Sequence, residues 1–247
     1  MPYLLIFKAS NNQIDSLQGL HDNKKLQYLQ ILLLNSNKIK ELQPICLNRL
    51  RILNLNDNEI ASTEKFTGST SIEVLELRKN KLKNLKGIAN MPSLMELYVA
   101  ENELITLEGL ENVPLLRKLH CRKNQFTKIQ FIPILPSIEY VNLRENPLET
   151  IKEVQHLKTL TTLKFVNIKS SPPSDELGEG VKKEVLMLLG NIKFSTINKS
   201  EVTKEDILEA IEEKKERIKK EEEAKIEAER IAKEQAEQKK EEEVKSE

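Results

Sequence analysis

Asparagine recurs at Asn12, Asn37, Asn58, Asn80, Asn102, Asn124 and Asn146, and the last four intervals are all 22 residues. A frame of apolar residues returns around each one. Counting from the Asn as position 0, one copy places Leu94, Leu97, Val99, Leu104, Leu107 and Leu110 at −8, −5, −3, +2, +5 and +8. Its neighbours place Ile72, Leu75, Leu77, Leu82, Leu85 and Ile88, or Ile138, Val141, Leu143, Leu148, Ile151 and Val154, at the same offsets. A unit of this length has too little apolar surface to order itself alone, so copies must stack and bury each other's flanks.

The alternation at −5 and −3 predicts one short strand per copy with those residues inward. The chain must then bend. Asn suits the bend because its side chain satisfies backbone groups left unpaired there, so Asn37, Asn58, Asn80, Asn102, Asn124 and Asn146 are expected to form a buried ladder. Return segments such as LKGIANMP and LEGLENVP carry apolar residues about three apart, the pattern of short helical or 3₁₀ turns on the convex side. The first intervals, 25 and 21 residues, predict bulged loops early in the array.

The predicted fold is thus α/β: a right-handed solenoid with a concave parallel β-sheet and short convex helical segments. About eight copies fill residues 1–168. The eighth is read as Leu160, Leu163 and Phe165, with Ile168 at the Asn position. Residues 169–203 should cap the array, the apolar run Val185, Leu186, Leu188, Leu189, Ile192 and Phe194 forming a lid. At the other end the Leu4/Ile6/Phe7 edge has no visible cap, which points to a covering partner or to an earlier true start.

Residues 204–247 read as a charged helical tail. They hold 12 Lys/Arg and 17 Asp/Glu of the chain's 39 of each sign, leaving 27 and 22 for the body. Thr203 and Asp206 resemble a capping box. Glu213/Arg217, Glu216/Lys220, Glu221/Lys225, Glu229/Lys233 and Glu241/Lys245 have the spacing of favourable helical pairs. Ile207, Ile211, Ile218, Ile226 and Ile231 are too sparse for a sustained heptad seam.

Motifs for catalysis or cofactors are missing: no phosphate-binding glycine loop, no dinucleotide fingerprint, no H-E-x-x-H and no C-x-x-C. His120 and Cys121 are adjacent, yet on a strand they face opposite ways. His21 and His156 fall in turns or convex segments. No enzyme activity, cofactor, metal or small-molecule substrate is expected. Cys46 and Cys121 suit a reducing compartment, the Leu4–Phe7 run is too short for a membrane span, and the modest charge argues against direct nucleic-acid contact. The expected location is the cytoplasm.

What remains is the outer face of the sheet, at −6, −4 and −2. Early copies place Ile6, Ile31, Leu33, Ile52 and Val74 there, an apolar strip seldom left wet. Later copies place Lys118, His120, Arg122, Arg144 and Lys164 around Tyr98 and Tyr140, which suits an acidic polypeptide with aromatic anchors. These are the expected protein-binding residues.

The return segments LKGIANMP and LEGLENVP resemble the leucine-rich-repeat class typified by a protein phosphatase regulatory subunit, and EVLMLLGNIKFSTINKSEVTKED looks like its C-terminal cap. Gly190 and Ile197-Asn198 depart from that cap's usual Pro and Leu-Asp. The order LLIFKASNNQI, NLKGIANMPSLMELYVAENELITLEGLENVPLLRKLHCRKNQF, SIEYVNLRENPLETIKEVQHLKTLTTLKFVNIKSSP and a Glu/Lys helix is similar to leucine-rich-repeat proteins of ciliary radial spokes. That resemblance implies a scaffold in the axoneme of motile cilia, partnered by radial-spoke or axonemal subunits. Alternatives are a soluble regulatory binding module, such as a phosphatase regulator, or a nuclear ribonucleoprotein adaptor.

Overall fold

The computed structural model describes residues 3–20 and 24–245, with side chains described to residue 235 apart from Lys24. Of the expected features, His21, the extreme ends of the solenoid and tail, and the side chains of the Glu241/Lys245 pair lie outside the described residues. Two compact units result, Met1–Val202 and Thr203–Glu247.

In the first unit each copy contributes one three-residue strand. These are β1 (Ile6–Lys8), β2 (Ile31–Leu33), β3 (Ile52–Asn54), β4 (Val74–Glu76), β5 (Glu96–Tyr98), β6 (Lys118–His120), β7 (Tyr140–Asn142) and β8 (Phe165–Asn167). All pair in parallel and in sequence order, and a hairpin of β9 (Thr196–Ile197) and β10 (Ser200–Glu201) extends the sheet beyond β8. Among the described residues the sheet has ten strands. The register aligns equivalent positions of every copy, as in Leu75↔Leu97 and Leu97↔Leu119. Inward residues at −5 and −3, such as Leu53, Leu55, Leu75, Leu77, Leu97 and Val99, are fully buried.

At the strand exit the residue at −1 turns left-handed in eight copies: Asn11, Ser36, Asp57, Lys79, Glu101, Lys123, Glu145 and Ser170 have φ between 52° and 58°. The Asn that follows closes the bend. The Asn102 amide donates to the carbonyls of Val99 in its own copy (3.1 Å) and Leu77 in the preceding one (2.9 Å), while its Oδ1 accepts the Leu82 N–H at 3.0 Å. Asn37, Asn58, Asn80 and Asn124 repeat this pattern, and Asn146 bonds the Cys121 and Leu143 carbonyls. The ladder is therefore cross-copy bracing as well as a local cap.

On the convex side, returns are turns or 3₁₀ segments, including Lys86–Ile88 and the nine-residue Ile151–Thr159. Glycine in LKGI and LEGL has a steric cause: a Cβ on Gly87 would lie 1.6 Å from the Thr63 carbonyl oxygen, and one on Gly109 (φ +105°) 2.1 Å from that of Leu85.

The end of the array differs from expectation. Val166, not Leu163, pairs with Val141, and Ser171 holds the corner, its hydroxyl donating to the Ile168 carbonyl at 2.7 Å as each Asn amide does. The long 3₁₀ return adds three residues, so the eighth copy lies three positions later than a strict 22-residue count gives. Val166 and Ile168 are buried inward residues, and Phe165, Asn167 and Lys169 take the outer positions. Lys164, expected on the outer face, is corrected accordingly: it stands at −7, on the strand-entry edge, where its N–H bonds the Glu139 carbonyl.

Beyond β8, α1 (Pro172–Leu177) and α2 (Val181–Leu188) follow. Helix α2 packs on the Ile151–Thr159 return and buries Val185 and Leu186, with Leu189, Ile192 and Phe194 also buried. That closes the apolar end of the stack. Near the start, by contrast, Leu5, Ile6 and Phe7 are 50%, 45% and 40% exposed, although Phe7 stands where later copies are sealed.

The second unit is one helix, α3 (Lys204–Lys245, 42 residues), about 63 Å long at 1.5 Å per residue. Its first turn has the reciprocal capping box: the Asp206 carboxylate accepts the Thr203 N–H (2.7 Å), and the Thr203 hydroxyl accepts the Asp206 N–H (3.2 Å). Glu213 and Arg217 meet at 3.2 Å, and Arg230 bonds Glu227 at 3.0 Å.

Candidate protein-binding face

The outer residues of β1–β8 form three rows across the strands. At −6 run Ile6, Ile31, Ile52, Val74, Glu96, Lys118, Tyr140 and Phe165; Ile6 is exposed and the others half-buried. Leu33 belongs to the −4 row, also half-buried. Ile31, Leu33, Ile52 and Val74 are thus a contiguous apolar strip on three adjacent strands.

From β5 onward the character changes. Tyr98, His120, Tyr140 and Phe165 form a row of rings with centroids 6.0, 6.3 and 6.5 Å apart, and the Arg78 guanidinium lies over Tyr98 at 4.4 Å. Phe165 enters this row only because of the shifted register.

Most of the charge is internally engaged. The Tyr98 hydroxyl donates to Glu96, and Lys118 Nζ approaches both Glu96 (3.2 Å) and the Tyr98 oxygen (3.3 Å). The Tyr98 bond and, secondarily, Lys118 hold the Glu96 carboxyl below its ordinary range against the opposing effect of burial. Arg122 bonds Glu145 at 2.9 Å and lowers its pKa in the same way. Asn54 and Asn56 hold Glu76.

His120 is neutral at physiological pH. Burial, followed by the Arg78 charge, pushes its pKa down to about 4. The tautomer follows from Asn142, whose Oδ1 accepts the Arg144 N–H (3.0 Å), leaving its amide nitrogen to donate to the Tyr140 oxygen (3.2 Å) and to His120 Nε2 (3.0 Å). The proton is then on Nδ1. That nitrogen has no hydrogen-bond partner, nor do Arg78 Nε, Arg122 Nε and Arg144 Nε. Arg144 Nε lies 3.0 Å from Glu145 Oε1 but without hydrogen-bond alignment.

Cys121, directly after β6, is fully buried in the core, and burial raises its thiol pKa. The neighbours His120 and Cys121 share no site. Lys164 sits 3.1 Å from Glu139 on the strand-entry edge, outside the ring row. Phe165 is the member of the face that the 22-residue count leaves out; Asn142 and Arg78 stand at its outer positions −4 and −2. The SSP segment after Lys169, read as a corner, would have located Phe165. Among the described residues no cluster of His, Cys, Asp and Glu could hold a metal, and no helix is long and apolar enough to cross a membrane.

No protein-family model matches the chain, and no curated protein matches it significantly. Solved structures do. An internalin of Listeria monocytogenes superposes with a TM-score of 0.52 at 19% identity over 78% of this chain and 59% of its own. The LRIM1/APL1C complex superposes with a TM-score of 0.55 at 21% identity, over 68% of this chain and 31% of the matched one. The chain thus spans less than two thirds of either structure. At these identities the likeness concerns architecture. Together with the parallel stack, the left-handed corners and the Asn ladder, it makes this chain a leucine-rich-repeat solenoid followed by a long helix.

Proposed function

We propose that the chain is a non-catalytic protein-binding scaffold whose concave sheet face is its interface, working in the radial spoke of a motile cilium. The observation carrying the binding role is the face between β4 and β8: rings in a row, bordered by the arginines Arg78, Arg122 and Arg144. The apolar strip of Ile31, Leu33, Ile52 and Val74 adds area that association would remove from water. The location rests on the likeness of repeat order and charged tail helix to the radial-spoke proteins. In this reading the tail engages a second subunit.

Cross-linking mass spectrometry on detergent-extracted cilia tests it. Links from Lys118 and from tail lysines such as Lys219 and Lys225 to radial-spoke subunits are expected. Loss of the protein from the extracted axoneme would remove the ciliary role; links confined to the convex side would remove the concave interface.

A further inference from the structure

The outer rows from β4 to β8 have unequal chemistry. Row −2 holds Arg78, Arg122, Arg144 and Lys169, interrupted only by the buried Ala100. With Lys118 and Lys123, that makes six cations against the carboxylates Glu76, Glu96, Glu101 and Glu145, each already held by side chains of this chain. A surplus of positive charge therefore borders the ring row on one side. None of the three arginines makes a hydrogen bond at Nε: Arg78 lies on the Tyr98 ring, Arg122 bonds Glu145 through its terminal nitrogen, and Arg144 Nε is ion-paired with Glu145 at 3.0 Å.

The spacing of the rings selects among polypeptide shapes. Centroids 6.0–6.5 Å apart nearly match the roughly 6.6 Å between alternate side chains of an extended chain, and exceed the roughly 5.4 Å between turns of an α-helix. An extended segment also brings unpaired backbone carbonyls, acceptors that a helix keeps for itself. The half-buried arginine side chains of row −2 are donors of the kind such acceptors need.

We infer that the concave face from β4 to β8 takes an extended, acidic segment of a partner protein, laid across the strands. Its alternate side chains rest on the Tyr98–His120–Tyr140–Phe165 row, and its carboxylates meet Arg78, Arg122 and Arg144. This rests on the scaffold reading above and specifies the partner's chemistry at the same face.

The test uses the full chain and a fluorescein-labelled peptide of about eight residues, enough to span the row at roughly 3.3 Å each. It alternates Glu and Val around a central Pro that prevents a helix. Fluorescence anisotropy should give saturable binding, weakened about tenfold or more by the double substitution Arg122→Gln, Arg144→Gln. Tyr140→Ala should weaken it comparably, while Arg51→Gln on the strand-entry edge leaves it unchanged. Thermal melts establish that each variant is folded, and Arg78→Gln, which breaks no ion pair, provides an independent variant. Equal binding of a Lys/Val peptide, or tighter binding of an acidic helical peptide, overturns the inference. A native partner cross-linked to Lys118 through a segment that is neither extended nor acidic overturns it while sparing the scaffold; absence of any native partner on this face overturns both.

Discussion

At the scale of the residue, the corner decides whether copies can stack. Each buried Asn bonds groups in two copies at once, and its Oδ1 is the acceptor for an N–H of the preceding copy that its removal leaves orphaned. Asn102→Ala strands the Leu82 N–H inside the stack and leaves the Leu77 and Val99 carbonyls to Asn80 and Asn124 alone, and should cost about 1–3 kcal/mol, read as a fall in the urea midpoint. The exposed Asn12 bonds only carbonyls of its own copy, and Asn12→Ala should cost less than about 1 kcal/mol. Equal losses would refute the bracing role. His120 yields a second prediction. Its pKa is about 4 in the folded chain against an ordinary 6.5, so the unfolded chain takes up the proton first. Its contribution is complete above pH 6.5 and is lost as pH falls toward 4. Urea midpoints measured from about pH 7 down to about pH 4 should decline, and His120→Gln should flatten that decline; an unchanged slope would place the titration elsewhere.

At the scale of the element, eight three-residue strands succeed where one would not. Each is held by parallel partners and by inward residues sealed between the next copies. The last copy has no successor, and α2 takes its place. Leu189, directly after α2, is fully buried. Leu189→Ala should cost about 2–5 kcal/mol, with hydrogen exchange accelerating first in β8 and β7. Uniform acceleration from β1 to β8 would show that the cap is not a separate stabilising layer. Helix α3 follows a different logic, since its exposed isoleucines, from Ile207 to Ile231, bury little. Its local supports are the capping box and pairs such as Glu213–Arg217, worth about 0.2–0.5 kcal/mol per pair.

At the scale of the whole molecule, equivalence of copies makes the solenoid divisible only at its own period. Excising residues 81–102 removes one full copy and rejoins Asn80 to Glu103, matching two equivalent junctions, so the shortened chain should fold with a smaller urea m-value. Excising half as many residues from the same point should abolish cooperative unfolding, because inward rows would meet outward ones. If both deletions behave alike, stacking is not what organises the unit. The sequence by itself determined the period, the inward rows, the corner asparagines and the capping segment, because burial alternation and bend chemistry are written within a single copy. Tertiary structure decided what depends on neighbours a copy away: that the Ile151–Thr159 return shifts the last strand and moves Lys164 off the face, that Phe165 completes the ring row, that Glu145 engages Arg122, and which ring and guanidinium nitrogens of the face are left without partners. Contact across the parallel strands β1 to β8 is set by register between residues 21 to 25 positions apart, and side-chain pairing at that distance is resolved only when the copies are stacked.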